Sequence, residues 1–261
     1  MEYFGQLLCP HFQRISSSAH ITGRFYSNLS RALLVFADEA FGTRDKSLIG
    51  ALKTLITESH RMLEQKHIDA IEFRNFVRLI MSSNEEWAVP AEFDERRFFV
   101  VKVSDAKKGD TAYFQAIIQE RDNGGKEALL DFLMKRDLSG KDLRKFPVTN
   151  ALISQKLRSL KPHEQWLYHV LQLGEIHNQA SEASLPKDQL YSLYVDYCIR
   201  MKAHHSIDVG SFYKGLYKMI PATEQRPRID GKLTRMITFP PLAECRSAFE
   251  QWVDGKIDWS V

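Results

Sequence analysis

Two adjacent carboxylates, Asp38 and Glu39, directly follow a run of uncharged residues at positions 33–37. An acid pair at the end of a buried strand is the Walker B pattern, with which a nucleotide-hydrolysing core holds Mg²⁺ and aims a water molecule. Open α/β sheets place their ligands at the carboxyl edge of parallel strands. The pattern therefore predicts a nucleotide site at the end of this strand.

The second half of such a site is missing from the sequence. A phosphate-binding loop of the form G-x-x-x-x-G-K-[ST] cradles the nucleotide phosphates with its backbone amides and its lysine. No Gly-Lys pair in the 261 residues is followed by Ser or Thr. We therefore expect that this chain alone does not hydrolyse ATP.

The composition indicates an ordinary globular protein. With 261 residues, 44% of them hydrophobic and 26% charged, the chain can bury a full core and divide into two or three modules. No uncharged stretch approaches the roughly 20 residues that span a bilayer, and the amino terminus lacks the pattern of a secretory signal. We expect a cytoplasmic protein with no membrane partner. Three scattered cysteines favour neither a disulfide framework nor a zinc site: Cys9, Cys198 and Cys245.

The elements that must position the acids alternate between strand and helix. Apolar runs predict buried strands at 33–36, 76–81 and 98–103. Helical spacing predicts a helix over 45–57, and alternation over 64–74 predicts a hairpin. This order is typical of an α/β fold with a parallel sheet. Asn84 follows the second strand and places an amide at the same carboxyl edge as Asp38.

Beyond Gly109 the pattern becomes helical. Helices are predicted at 111–120, 125–136, 150–159 and after Pro162. Small and polar residues at 180–186 predict a linker. The chain then continues with a helix over 188–202, a helix over 209–219, a basic loop at 225–232 and a strand at 233–239. Helix, helix, basic loop and strand is the order of a winged helix-turn-helix.

The charge of this last segment is strongly biased. Between Arg200 and Arg235 there are eight Lys and Arg residues against three acidic ones. In a winged helix, the helix over 209–219 would enter a DNA groove, while Arg226 and Arg228 would contact the phosphate backbone. A solvated basic face on a packing domain is the alternative interpretation.

Four ordered blocks together carry a resemblance to a known family. The blocks at 33–41, 51–58, 79–90 and 94–98 resemble the helicase half of phage and plasmid primase-polymerase proteins, which are superfamily 3 helicases of AAA+ type fold. The resemblance runs from about residue 4 to about residue 175. The family's phosphate-binding loop would lie just upstream of Glu2, so the chain resembles a member truncated at that point.

The resemblance implies roles for individual residues. Asp38 would be the Mg²⁺ ligand, Glu39 the water-polarising base and Asn84 the sensor amide near the γ-phosphate. Arg96 or Arg97 would be the arginine finger that a neighbouring subunit presents to the nucleotide. Two local alternatives stay open: Asn84 capping a turn, and the arginines forming a solvated ion cluster with the acids beside them.

A second implied site concerns DNA. Lys66 and His67 fall where viral relatives of the family carry a lysine and a histidine at the tip of a channel hairpin that grips single-stranded DNA. A cation and an aromatic ring suit a phosphate and a base. An ordinary exposed turn is the alternative.

These observations combine into one expectation. It comprises a partial AAA+ core at 1–108, a helical region at 109–180 and a winged-helix-like module at 181–261. The resemblance implies a replicative primase-helicase of a phage or plasmid, which uses Mg²⁺ with ATP, assembles as a homo-oligomeric, hexameric ring and binds single-stranded and duplex DNA in a bacterial host. The alternative is a non-catalytic DNA-binding or ring-assembly module.

Overall fold

The computed structural model describes residues 2–17, 21, 29–39, 46–65, 68–86, 88–89, 91, 97–142, 145–176, 179–180, 184–203 and 206–259. They form two compact units. Unit 1 comprises Met1–Pro90 and Val101–Pro147, and unit 2 comprises Ala91–Val100 and Val148–Val261. Each unit has a hydrophobic core of its own. No helix in the described part of the chain combines the length and apolarity that crossing a membrane requires.

Unit 1 is built on a parallel sheet, which confirms the α/β expectation. Its described elements are α1 (Glu2–Gln6), β1 (Phe12–Ile15), β2 (Leu34–Asp38), α2 (Lys46–Thr57), β3 (His60–Gln65), β4 (Ile68–Arg74) and β5 (Arg78–Ser82). Three of the strands pair in parallel in the order β1-β2-β5. The central strand β2 is buried from Leu34 to Ala37, as the uncharged run of a strand covered on both faces requires.

The two faces of this sheet are covered differently. On one face, Val35 and Ala37 pack with Leu52 and Leu55 of α2 in the core of unit 1. On the other face lies an open apolar groove with a volume of about 460 Å³. Its lining residues are Phe4, Leu8, Leu33, Leu34, Phe76, Arg78 and Ile80.

Strands β3 and β4 form an antiparallel hairpin, which confirms the hairpin predicted around 64–74. His60 pairs with Arg74 at its base, and the register shifts between Leu63 and Gln65. Lys66 and His67 lie outside the described residues.

The third predicted strand, at 98–103, is wrong. These residues belong to no strand of the structure. Phe98 is buried, but Phe99, Val101 and Val103 are exposed, Val103 to 84%. An apolar run becomes a strand only where a neighbouring strand completes its backbone hydrogen bonds, and the described residues provide no such strand here.

Two exposed helices follow in unit 1. They are α3 (Thr111–Glu120) and α4 (Lys126–Lys135), joined by a kinked turn at Arg121–Gly125 in which Gly124 has a φ of 88°. The carboxylate of Asp110 caps α3 by accepting a hydrogen bond from the Tyr113 amide at 3.0 Å. Neither helix has a buried side chain. We call Thr111–Lys135 the apolar arm because large apolar side chains are exposed along it: Tyr113, Phe114, Ile117, Ile118, Leu130, Phe132, Leu133 and Met134.

Unit 2 combines helices with short strands. Its helices are α5 (Asn150–Arg158), α6 (Pro162–Leu173), α7 (Lys187–Arg200), α8 (Val209–Met219) and α9 (Leu242–Val253). Its strands are β6 (Glu175–Ile176), β7 (Gln179–Ala180), β8 (Ser184–Pro186), β9 (Thr223–Gln225), β10 (Arg228–Ile229), β11 (Lys232–Leu233) and β12 (Met236–Thr238).

A three-stranded antiparallel sheet in unit 2 has the order β8-β12-β9. The linker predicted at 180–186 is therefore wrong at its carboxyl end, because Leu185 is buried and pairs with Ile237. The local composition is typical of a linker, but pairing with a strand distant in the sequence makes residues 184–186 part of a sheet.

An aromatic cluster forms the centre of the core of unit 2. The Phe212 ring of α8 stacks on Tyr194 of α7 with 4.7 Å between ring centroids, and it meets Trp166 of α6 edge to face at 5.3 Å. Helix α9, which the sequence analysis missed, adds Phe249 and Val253 to the same core. The packing of α8 therefore depends on three other helices of unit 2.

Candidate functional site

The carboxyl ends of β2 and β5 bring together a cluster of polar side chains. The parallel register places Asp38 opposite Ser82, and the backbone amide of Glu39 donates to the Ser82 carbonyl at 3.0 Å. The two strands thus stay paired to the last residue before the site. This is the edge at which open parallel sheets bind their ligands.

Asp38 receives hydrogen bonds on both carboxylate oxygens. The Ser82 hydroxyl donates to Oδ1 at 2.6 Å, and Nη2 of Arg14 donates to Oδ2 at 2.7 Å. Arg14, at the middle of β1, also forms an ion pair with Glu2 of α1. The Ser82 hydroxyl, followed by the Arg14 guanidinium, holds the pKa of Asp38 below its ordinary value.

Glu39 is held by Asn84. The Asn84 side-chain amide donates a hydrogen bond to Oε1 of Glu39, so the predicted sensor amide and the predicted base are in direct contact. Glu39 has a φ of 50°, in the left-handed region that residues other than glycine rarely adopt. Such backbone conformations cost free energy and are concentrated at functional sites.

The chemistry of this donor set fits Mg²⁺ in the presence of a nucleotide. Mg²⁺ prefers oxygen ligands and is usually held in proteins by one or two carboxylates together with substrate phosphates. Asp38 and Glu39 supply the carboxylates, and the side chain of Asp38 is 34% exposed. Because the Arg14 cation already contacts Asp38, a metal ion at that oxygen would have to replace the arginine.

The remaining predicted residues are not brought to this cluster by the described structure. Arg96 lies outside the described residues. Arg97 is half-buried and belongs to unit 2, whereas Asp38 belongs to unit 1. The arginine-finger role therefore stays a prediction, and so does the DNA-gripping role of Lys66 and His67.

The sequence analysis missed two members of the cluster, Arg14 and Ser82. Ser82 carried a signal, since it ends the strand that was expected beside β2. Arg14 carried none, because it lies in a four-residue strand whose pairing with β2 spans about twenty residues of chain.

In unit 2, β10 and β11 form a hairpin that is rich in basic residues. We define the basic hairpin as residues 226–235, which include Arg226 and Arg228. Glu224 lies at its base and meets three cations: Lys187 Nζ at 2.6 Å, and the Nε atoms of Arg226 and Arg235 at 3.8 Å each. The hydrogen bond from Lys187 is the main cause that lowers the pKa of Glu224.

Comparisons with known proteins relate the chain to a phage replication enzyme. Residues 1–97 match a family described as a family of unknown function, DUF5906. Over 101 residues, or 38% of the chain, the sequence is 29% identical to the DNA primase-polymerase of Nitratiruptor phage NrS-1. The chain spans only 14% of the length of that relative.

The fold extends this similarity over nearly the whole chain. The apo structure of the NrS-1 C-terminal region matches with a TM-score of 0.65 and 18% identity, covering 92% of this chain and 64% of that one. A second apo form of the same region gives a TM-score of 0.63 at 17% identity. At these identities the match establishes a shared fold and not a shared activity. The chain is therefore related to a phage primase-polymerase, and its fold resembles that of the C-terminal region of that protein.

The contacts of Asp38 lead to a pH prediction. Replacing Ser82 with Ala should raise the pKa of Asp38 toward its ordinary value, because the largest stabilising contact of its ionised form is lost. Arg14→Gln should also raise it, because the hydrogen bond and the positive charge of Arg14 are both lost. The pKa is read from the carboxyl ¹³C shift of Asp38 as a function of pH.

The neighbouring Ser83 is the matched control, because its hydroxyl accepts from the Glu85 amide at 3.0 Å instead. Ser83→Ala should leave the Asp38 titration unchanged.

The pKa of Asp38 is lowered in the folded protein. The contacts of Asp38 with Ser82 and Arg14 therefore stabilise the fold fully above the ordinary pKa of Asp38, and their contribution is lost as the pH falls through the lowered value. Equal Asp38 titrations in the Ser82 and Ser83 variants would contradict the assignment.

Proposed function

We propose that unit 1 is the partial nucleotide-hydrolysing core of a superfamily 3, AAA+ type helicase, and that the intact parent protein unwinds DNA in the replication of a phage or plasmid. The observation that carries the proposal is the cluster of Asp38, Glu39, Ser82 and Asn84 at the carboxyl edge of two adjacent parallel strands. The relation to a phage primase-polymerase gives the replication context.

The open edge of the sheet supports this proposal. Among the described residues, β5 pairs with β2 alone, so its other edge offers unpaired backbone groups along Arg78–Ser82. A further parallel strand could pair there and bring a phosphate-binding loop to the same carboxyl edge as Asp38. The proposal assigns this position to a G-x-x-x-x-G-K-[ST] segment that residues 1–261 do not contain.

Each residue of the cluster has a distinct part in the proposed reaction. Mg²⁺ with ATP would supply the charge neutralisation of the phosphates. Glu39 would orient the attacking water and accept its proton, while Asn84 holds the Glu39 carboxylate in place. Ser82 would hold Asp38 in its orientation toward the metal. Arg96 or Arg97 would stabilise the transition state in a neighbouring subunit.

The apolar arm supports self-assembly as part of this function. Its eight large apolar side chains are exposed by roughly a third to four-fifths, which leaves on the order of 800 Å² of apolar surface open. An area of about 800 Å² per partner is that of a standard stable interface. We assign this surface to contact with a second copy of the chain in the proposed hexameric ring.

The topology of unit 2 supports a winged-helix role in DNA binding. Helices α7 and α8 follow β8, the sheet order is β8-β12-β9, and the basic hairpin connects β9 to β12 in the position of a wing. In this arrangement α8 would lie along a groove, and Arg226 and Arg228 would contact phosphates. Single-stranded DNA would be gripped by Lys66 and His67 in the assembled ring.

A second candidate function is a non-catalytic DNA-binding or ring-assembly module. One observation favours it: Arg14 occupies the Oδ2 atom of Asp38 at 2.7 Å, where a metal ion would bind. The two functions can be distinguished by measuring ATP hydrolysis by a chain that is extended upstream with a phosphate-binding segment. Hydrolysis would favour the helicase core, and its absence would favour the non-catalytic module.

The first prediction from the proposal concerns ATP hydrolysis. Residues 1–261 alone should release phosphate no faster than buffer, because the β- and γ-phosphates lack their amide cradle and lysine. A chain extended upstream with a G-x-x-x-x-G-K-[ST] segment should show Mg²⁺-dependent ATPase activity that DNA stimulates.

In the extended chain, Glu39→Gln should abolish this activity while nucleotide binding persists, and Glu58→Gln on an exposed position of unit 1 should leave it intact. Phosphate release and fluorescent-nucleotide binding provide the two readouts. Mixing Glu39→Gln with an Arg96→Ala, Arg97→Ala double variant should restore part of the activity, because each subunit supplies what its neighbour lacks. An extended chain that binds ATP and never hydrolyses it would favour the non-catalytic module.

The second prediction concerns assembly through the apolar arm. Replacing Phe132 and Met134, which are 60% and 79% exposed, with Ser should lower the oligomeric mass in sedimentation velocity, because the interface loses its most exposed apolar groups. The matched control is Leu173→Ser with Ile199→Ser, two exposed apolar residues of unit 2. Equal loss of assembly in both variants would show that the arm is not a specific interface.

The third prediction concerns DNA binding by the basic hairpin. Replacing Arg226 and Arg228 together with Ala should weaken duplex binding alike for all sequences. It should also reduce the slope of log affinity against log salt by roughly two, because each phosphate contact contributes about −0.9 on a duplex. Lys141→Ala with Lys145→Ala, in unit 1, is the charge-matched control and should leave the slope unchanged. Fluorescence anisotropy at several salt concentrations provides the measurement.

A further inference from the structure

The tip of the basic hairpin is held by a tight two-residue turn. Asp230 and Gly231 connect β10 to β11 with φ values of 49° and 79°. Two consecutive residues at positive φ are typical of a type I′ turn, whose twist matches that of the flanking strands. At the end of the hairpin away from the turn, the Thr234 amide donates a hydrogen bond to the Pro227 carbonyl at 3.0 Å. The tip is therefore a short hairpin closed by a tight turn.

Two large aliphatic side chains are exposed at this tip. Leu233 is 68% exposed and Ile229 is 42% exposed, and neither belongs to the core of unit 2. Their placement is regular, because Arg228 pairs with Leu233 and Ile229 pairs with Lys232 across the hairpin. Directly opposed residues of an antiparallel pair lie on the same face. Each face of the tip therefore carries one aliphatic and one cationic side chain.

We propose that this tip is a wedge at a junction of duplex and single-stranded DNA, where Leu233 on one face and Ile229 on the other contact the bases of the two separating strands. Arg228 and Lys232 would hold the phosphates on either side. Aliphatic wedges unstack base steps in this way, and cations beside the wedge offset the cost by contacting the backbone. The proposal rests on the proposed DNA binding by unit 2 and adds a preferred DNA structure to it.

The composition of the tip favours DNA over a protein partner. Four cations flank the two aliphatic residues within residues 226–235, whereas Asp230 is the single acid there. Two side chains also expose far less than the roughly 800 Å² that each partner of a stable protein complex buries. A wedge needs only this small area, since each of its faces contacts one exposed base.

The test compares a forked duplex with a fully paired duplex of the same sequence, using the full chain. A 2-aminopurine at the fork reports unstacking by its fluorescence. The wild type should prefer the fork by roughly five-fold or more and raise the fluorescence, because an open step lowers the cost of inserting the wedge. Leu233→Ala with Ile229→Ala should remove both the preference and the fluorescence rise.

Two control variants make the outcome specific. The tip variant should bind the paired duplex with the wild-type salt slope, since its cations are retained. Leu173→Ala with Ile199→Ala removes two exposed aliphatic residues elsewhere in unit 2 and should keep the fork preference. Arg226→Ala with Arg228→Ala should weaken binding to both DNAs.

The possible failures are distinguishable. Salt-sensitive binding to both DNAs with equal affinity, or an unchanged fork preference in the tip variant, would overturn the wedge and leave the proposed DNA binding in place. Absence of salt-sensitive binding to either DNA would overturn both. A tip variant that binds both DNAs like the wild type but loses self-association in sedimentation velocity would overturn the wedge and assign the tip to a protein contact.

Discussion

The parallel pairing of β2 with β5 is the constraint on which the candidate site depends. Its register sets Asp38 against Ser82 and brings Glu39 within reach of Asn84. A slip of one residue would turn every side chain of β2 to the opposite face of the sheet. Packing of alternate β2 side chains against α2 opposes that slip, because the slip would remove Val35 and Ala37 from Leu52 and Leu55. Packing along β2 thus determines where the acids at its end point.

The parts of this arrangement that could be predicted from sequence are those with strong local signals. The uncharged run of β2 and the helical spacing of α8 gave their positions closely. The failures have a common physical cause. Residues 98–103 form an apolar run like that of a strand but have no partner strand among the described residues, whereas Leu185 lies in a segment of linker-like composition and pairs with β12. Pairing is a long-range property that local periodicity does not contain.

The cations of the basic hairpin also differ in a way that the sequence alone does not show. They are equivalent in a count of charges, but in the structure they have different neighbours. Glu224 lies against Arg226 and Arg235, so their fields are partly compensated at the base of the hairpin. Among the described residues, Arg228 and Lys232 have no carboxylate at ion-pair distance and lie nearer the tip. The proposed contact with phosphate is therefore concentrated where the aliphatic side chains are also exposed.

Arg14 connects the architecture of unit 1 to the proposed chemistry. It extends from β1 to Asp38 and to Glu2 of α1, and so ties three elements together around the acid that would hold the metal. A carboxylate with a cation at 2.7 Å is already charge-compensated, and a second cation at the same oxygen would be repelled. If Mg²⁺ and a nucleotide bind as proposed, Arg14 has to turn away from Asp38 or bind the phosphates instead. Because Arg14 also contacts Glu2 of α1, such a movement would change that contact as well.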